Sequence, residues 1–358
     1  MSGDQSSTSS NGVKRVGVVG ASGYGGVELL RLIAAHPGLD VAVAAAGTQA
    51  GASVAEHTPS LAAAYPNLVY APTEPDVLDG LDLVFFALPH GESQQLIPAV
   101  LDKVGAVVDL AADFRLADPA DYPRWYGEAH VAPELLSTFA YGLPELHRSS
   151  LPGATRIAAP GCYPTATLLA LTPLVEAGLV AGPGLATSGP ALIVDAASGV
   201  SGAGRGPKAN LHFGAVDEDF VAYGLLDHRH TAEMVQGLGT DVLFTPHLAP
   251  MVRGILATCY ARPAVEGLTT EDAMDVLRTR YAGEPFVTVV DAPPSTKATS
   301  GANTAHLSVR VDPRTGWIVA LAAIDNLVKG AAGQAIQCAN LSLGLPEGAG
   351  LPTVGVYP

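Results

Sequence analysis

The chain has 358 residues, 48% of them hydrophobic, and a formal net charge of −15. Its length exceeds the size at which a single core stops growing, so two domains are expected. The acidic balance excludes nucleic acid and anionic membranes as partners, and no apolar run is long enough to span a bilayer.

Residues 1–12 are polar and Ser-rich without an apolar centre, which predicts a disordered tail rather than a signal peptide. Lys14–Gly26 then reads as a strand entering a glycine-rich turn. A helix follows, with Val27, Leu30, Ile33 and Ala34 at helical spacing, and His36-Pro37 ends it. Gly20, Gly23 and Gly26 fall three apart, a variant of the dinucleotide fingerprint. Glycine permits the tight turn and the close approach of backbone to pyrophosphate, which then rests on the helix N-terminus. Gly20, Ser22, Gly23, Tyr24 and Gly25 are therefore the expected cofactor cradle.

The next strand, Val41–Ala46, ends in Gly47–Gly51 without a carboxylate. An NAD enzyme places Asp or Glu about 20 residues after the fingerprint to bind the ribose hydroxyl. Its absence, with Thr48 and Ser53 as hydroxyl donors, favours the 2′-phosphate of NADP, although the loop holds no arginine. Leu81–Leu88 is near-continuously apolar, as in a parallel strand covered on both faces. Pro89-His90-Gly91 follows, then a predicted helix from Glu92 to Lys103. Ala106–Leu110 is another strand, leading into Asp113-Phe114-Arg115. Ligands gather at the carboxyl ends of such strands, so Pro89, His90 and Arg115 are site candidates. Asp118–His147 is irregular and aromatic-rich, a lid or packing segment.

Arg156–Ala159 is a short strand, Pro160-Gly161 breaks it, and Pro164 is expected to open a helix through Leu171. Cys162 thus sits at or just before a helix N-terminus. There the macrodipole lowers a thiol pKa from about 8.5 toward ~3.5–7.5, making a nucleophile available. A buried, inert thiol is the commoner fate of the residue type. Cys259 and Cys338 fall in apolar runs and read as core. Three widely spaced cysteines suit a reducing cytoplasm and lack zinc-ligand spacing.

Beyond Cys162 strand-like runs cluster: Ala191–Ala196, Val242–Pro246, Arg253–Ala261, Thr304–Val311 and Trp317–Ile324. Alternation of Ala305, Leu307, Val309 and Val311 suggests a sheet with one wetted face. The fold class is therefore α/β: a Rossmann-type domain at 13–161 plus 326–358, and an α+β domain at 162–325 with a largely antiparallel mixed sheet. Ser198–Gly206 is a glycine-serine loop ending near Arg205, suited to capturing a phosphate or carboxylate. His228 and His230 precede a helix. They are a weak metal signal without a third ligand, but one suffices as acid/base for a cysteine. Thr269 and Asp272 form an N-cap pair opening a helix to about Tyr281. The last helix, about Leu327–Leu343, contains Gly330 and Gly333, each costing about 1 kcal/mol against alanine. That cost implies close approach of a cofactor or another backbone.

Several motifs occur together and in order: Gly20-Ala21-Ser22-Gly23-Tyr24, Asp113-Phe114-Arg115, Tyr141-Gly142-Leu143-Pro144-Glu145 and Pro160-Gly161-Cys162-Tyr163-Pro164-Thr165. Ser198–Arg205, His228-Arg229-His230, Pro250–Ile255 and Asn326–Gly333 follow. From Lys14 to the C-terminus the chain resembles the N-acetyl-γ-glutamyl-phosphate reductases, relatives of aspartate-semialdehyde dehydrogenase that serve arginine biosynthesis. Ala232 stands where the family often has proline.

The resemblance implies a Rossmann NADP domain completed by the C-terminal helix, a catalytic domain that also makes subunit contacts, and a cytoplasmic homodimer or homotetramer. It implies that Cys162 attacks the acyl phosphate, phosphate leaves, and the thioester is reduced to the semialdehyde with His228 handling the proton. Arg205 and Arg253, with Arg115 and Ser198, would hold the anionic substrate, and Asn326 would lie near the nicotinamide. An aspartyl-phosphate reductase should lack the Asp-Phe-Arg and His-Arg-His motifs. A non-catalytic NADP sensor has no use for a nucleophile and base.

Overall fold

The computed structural model describes residues 12–181 and 191–357; the tail expected at 1–12 lies outside them save for Gly12. The first sheet contains β1 (Lys14–Val19), β2 (Leu39–Ala45), β3 (Leu83–Phe86), β4 (Val107–Asp109), β5 (Ala140–Tyr141) and β6 (Arg156–Ala158). All are parallel, in the order β2-β1-β3-β4-β6-β5. Every residue of β3 and β4 is buried, as the apolar character of β3 predicts, and Asp109 at the end of β4 is buried with them. The chain runs from β1 to β2 on one side and crosses back to β3 on the other. That reversal opens a crevice at the carboxyl ends of β1 and β3. Helix α1 (Tyr24–Ile33) starts there, capped by Gly23.

One expectation in this half needs correction, and another gains detail. The helix predicted over Glu92–Lys103 is only Ser93–Leu96, followed by a tight turn at Ile97–Ala99. Pro98 has no N–H for the Gln94 carbonyl, and its ring would clash with that oxygen. The irregular stretch 118–147 also supplies an edge strand, β5, and buries Tyr122, Leu143 and Glu145.

The second sheet contains β7 (Leu192–Gly199), β8 (Val221–Ala222), β9 (Val242–Ala249), β10 (Ile255–Ala261), β11 (Val287–Val289), β12 (Ala305–Val311) and β13 (Ile318–Ile324). Its order is β11-β12-β13-β10-β7-β9-β8, antiparallel except for the pairs β11–β12 and β7–β9. One face packs on α2 (Cys162–Glu176), α3 (His230–Leu238) and α4 (Thr270–Arg280). The predicted Thr269–Asp272 capping box opens α4, and Ala305, Leu307, Val309 and Val311 share the buried side of β12.

Helix α2 is buried without interruption from Tyr163 to Leu174, the pattern of a helix covered on all sides. It begins at Cys162 rather than Pro164, so Pro164 is its third residue. A missing N–H is still harmless there, because the first four amides have no intrahelical partner. Pro173 lies inside the helix and cannot serve the Leu169 carbonyl; Tyr281 of the α4 end donates its hydroxyl to that oxygen at 2.6 Å.

After β13 the chain makes a wide π turn at Val328–Ala332 and enters α5 (Gly333–Ser342). Val328, Ala332, Ala335 and Ile336 join Leu29, Leu30 and Phe85 in the core of the first sheet. The two helical glycines have a packing reason. A Cβ on Gly330 would lie 2.7 Å from Cys162 Cβ, and one on Gly333 would lie 2.4 Å from Asn303 Oδ1. Buried Lys329 pairs with Glu145 at 2.6 Å, tying this turn to the Tyr141–Glu145 segment. Cys259 and Cys338 are fully buried, as expected.

Candidate active site

Two connected cavities lie outside the carboxyl ends of β1 and β3. The larger, about 670 Å³, is lined by Cys162, Arg115, Arg229, His230, Asn326 and Gly330 among others. The second, about 630 Å³, is bounded by the glycine turn, Thr48 and Pro89. Gly23, Leu88, Pro89 and Arg205 line both, so the cavities share a wall.

The second cavity fits a dinucleotide. Gly20 has φ +81°, and a Cβ there would lie 2.3 Å from the Ala87 carbonyl oxygen of the strand below. A Cβ on Gly26 would lie 2.3 Å from Gly20 O. These glycines let α1 and the turn sit directly on β1 and β3. The N-terminus of α1 faces the cavities through Gly23, Tyr24 and Gly25, with no acid in its first turn. Free amides and the positive helix end suit pyrophosphate. The loop after β3 is braced from below: buried Asp113 accepts from Gly91 N at 2.9 Å and from Gln94 N at 3.0 Å. His90 Nδ1 lies 2.5 Å from Asp113 Oδ1, and its ring packs 4.2 Å from that of Tyr126.

In the larger cavity Cys162 is the first residue of α2, delivered by β6. The thiol differs from the sequence expectation: burial pushes it up to about 11, and the charge of Arg115 pulls it only part of the way back. The helix start does not compensate for the loss of water around the sulfur. A base beside the sulfur would assist its ionisation.

An imidazole is placed beside it by α3. A Cβ on Gly161 would fall 2.5 Å from His230 Nε2, so the His230 ring lies directly on the residue before Cys162. His230 lines the cavity, and its buried Nδ1 has no hydrogen-bond partner among the described residues. His228 stands behind it, outside the lining, with ring centroids 4.9 Å apart. It packs edge-on to Tyr163, Tyr223 and Phe244, and its Nδ1 accepts the His230 N–H at 3.2 Å. Burial, reinforced by Arg229, lowers His228 to about 4. Burial, with His228 beside it, holds His230 well below its ordinary value. Both are neutral imidazoles near pH 7.

Sequence reasoning missed Glu233. This buried carboxylate accepts from Gly161 N at 2.9 Å and from Tyr141 OH at 2.6 Å, and its other oxygen lies 3.5 Å from Arg115 Nη1. Arg115 is further fixed by bonds from Nε to Ala159 O (2.8 Å) and from Nη2 to Leu110 O (2.7 Å). One signal was available: Glu233 is i+3 from His230, which puts both on one face of α3. Arg229 and Lys208, also unassigned from sequence, add positive charge to the cavity wall.

Three predicted substrate contacts are placed elsewhere or differently. Arg253 is engaged with Glu28 of α1 at 2.8 Å and Asp325 at 3.4 Å, and does not line the cavity. Ser198 is buried and bonded to Gly199 O at 3.0 Å; its neighbour Ser201 reaches the cavity instead. Arg205 donates to Ser22 O at 2.9 Å, at the wall between the cavities. Asn326 does line the larger cavity, its Oδ1 accepting from Gly254 N at 2.7 Å and its Nδ2 donating to Ser201 Oγ at 2.9 Å.

Comparison with known proteins agrees with this geometry. Residues 15–154 match the semialdehyde dehydrogenase NAD-binding domain, and 162–326 the semialdehyde dehydrogenase dimerisation domain. An N-acetyl-γ-glutamyl-phosphate reductase of Symbiobacterium thermophilum is 49% identical over 96% of this chain and 99% of its own length. One from Pseudomonas entomophila is 46% identical with the same coverage. Among solved structures, aspartate semialdehyde dehydrogenase II of Vibrio cholerae superposes with a TM-score of 0.66 at 17% identity, covering 92% of this chain and 98% of that one. The NADP complex of the Candida albicans enzyme gives the same score at 17% identity and the same coverage. At that identity the solved structures establish the fold, and the curated relatives carry the assignment: the chain belongs to the N-acetyl-γ-glutamyl-phosphate reductases, within the semialdehyde dehydrogenase family.

Proposed function

We propose that the chain reduces N-acetyl-γ-glutamyl phosphate to N-acetylglutamate semialdehyde through a thioester on Cys162, with His230 rather than His228 as the proton carrier. The observation that carries this reading is the shared cavity: Cys162, neutral His230 and Arg115 line one space that opens onto the dinucleotide cleft. As Cys162 Sγ attacks the acyl carbonyl, its proton passes to His230. The S–C bond forms, the C–O bond to phosphate breaks, and phosphate leaves toward Arg115, Arg229 and Lys208. NADPH, when bound, supplies the hydride that reduces the thioester carbon. The protonated His230 then neutralises the developing alkoxide. In the collapse the C=O bond forms, the C–S bond breaks, and the hydroxyl proton returns through His230 to sulfur. Neutral imidazoles and a neutral thiol suit this sequence, because each transfer starts from a group able to accept or give a proton. His228 holds the start of α3 and orients His230.

The three unpaired cysteines fit a reducing cytoplasm, and among the described residues no helix is long and apolar enough to cross a membrane. A homodimer or homotetramer is the assembly proposed, readable by light scattering. The test of the activity is run in reverse: phosphate-dependent reduction of NADP by N-acetylglutamate semialdehyde, followed by absorbance, with aspartate semialdehyde in parallel. Equal turnover of aspartate semialdehyde, or none of either, would reject the substrate assignment.

A further inference from the structure

The turn after β2 presents a deficit. Gly47–Gln49 and the residues to Gly51 hold no cation, yet in a dinucleotide fold the end of the second strand is where the adenosine ribose and an NADP 2′-phosphate would be met. The cavity bounded by Ser22, Thr48 and Thr73 has one arginine among its described lining residues, and it does not come from the first domain. It is Arg205, from the glycine-serine loop after β7. Its Nη1 donates to Ser22 O at 2.9 Å, bridging 183 residues of chain, and lies 3.3 Å from His57 Nδ1.

His57, also in the lining, follows the same deficient turn. An arginine N–H can only donate, so His57 Nδ1 is the acceptor in that contact and its proton sits on Nε2. Arg205 is exposed and retains N–H donors besides Nη1. The neighbouring wall carries the hydroxyls of Ser22, Thr48 and Thr73. A planar guanidinium, an imidazole N–H and hydroxyls are the donor set of a phosphate dianion site. The one carboxylate among the cavity's described lining residues, Glu92, comes from the loop after β3 rather than from the turn.

We infer that Arg205, supported by His57, is the 2′-phosphate contact, so that NADP is told from NAD by a residue of the catalytic domain. The inference rests on NADP as cofactor and moves Arg205 from the substrate to the cofactor. Gly204, at φ +84° with open space around it, gives the loop the positive-φ turn that precedes the arginine.

The experiment measures binding by calorimetry without turnover, using adenosine 2′,5′-bisphosphate and 5′-AMP as probes. The unaltered protein should prefer the bisphosphate. Arg205→Ala should reduce that preference roughly 10- to 150-fold, the range of one charge-assisted contact, while leaving 5′-AMP affinity within about twofold. Arg205→Lys should restore part of it. Lys297→Ala, which removes an equal charge at an exposed position lining neither cavity, should leave the preference intact. An Arg205→Ala protein that keeps the full preference overturns the assignment, as does an equal loss in Lys297→Ala. Neither outcome depends on which aldehyde is turned over, so failure here is separable from failure of the substrate assignment.

Discussion

The dinucleotide cleft and the cysteine centre are adjoining walls of one crevice, yet they are built from different materials. The cleft is mostly backbone: Gly20, Gly23 and Gly25 at a strand–helix turn, with the amides of α1 behind them. The cysteine centre is assembled from four separated segments, namely the loop carrying Arg115, the start of α2 with Cys162, α3 with His230 and Glu233, and the Gly330 turn. A backbone site depends on local geometry and tolerates changes at a distance. A side-chain site depends on how the segments dock, and a single added methyl can spoil it. Loss of chemistry without loss of nucleotide binding is therefore expected at the cysteine centre.

The largest effect should come from Cys162→Ala. Removing a nucleophile costs about 10⁴- to 10⁶-fold in rate, while NADPH affinity, read by fluorescence, should be unchanged. Turnover surviving in this variant, or alkylation of Cys259 or Cys338 before Cys162, would dissolve the distinction between the two walls.

His230→Asn should lower the rate about 10²–10⁴-fold and remove the histidine limb of the pH–rate profile. His228→Asn should act less, through the orientation of its neighbour. Since both folded imidazoles are held below their ordinary value by burial, the unfolded chain binds their protons first. Their contribution to stability is thus complete above about 6.5 and lost as the pH falls toward the His228 value of about 4. Removal of the limb by His228→Asn alone would reverse the two roles.

Gly330→Ala tests side-chain docking directly. The added Cβ would meet Cys162 Cβ at 2.7 Å, so the sulfur or the π turn must shift. Displacing a reacting atom by about 1 Å costs on the order of 10² in rate. The expected outcome is a fall in kcat of that size with nucleotide affinity retained; an unchanged kcat would show that the turn yields instead.

The smallest catalytic effect belongs to Arg253→Ala. Its partners are Glu28 and Asp325, so the substrate KM should stay constant while stability falls by about 1–3 kcal/mol. Burial acts to raise the Glu28 carboxyl, but Arg253 and then Arg31 hold it below its ordinary 4.5. A lowered carboxyl stabilises the fold above that value and loses its effect as the pH falls through the folded one. The variant's unfolding should accordingly depend less on acid than the parent's. A raised KM at constant Tm would return Arg253 to the substrate.

Short-range chemistry explains what could be read from the chain alone. Glycine spacing after an apolar strand specifies the α1 turn, alternation in Ala305–Val311 specifies a half-buried strand, and Thr269 with Asp272 specifies a capped helix, because each signal acts within a few residues. Cys162 at a helix start was legible for the same reason. Its protonation was not, since the helix end is visible in sequence but the water removed by Arg115, His230 and the Gly330 turn is not. The preference proposed for His230 over His228 also rests on the fold: two residues apart at a helix start, they differ in which ring the docking of α3 lays on Gly161. Arg253 and Arg205 were indistinguishable as isolated cations near glycines. Tertiary structure set one against Glu28 and Asp325 and the other against Ser22 and His57, because an ion's role is decided by the partner that packing brings to it.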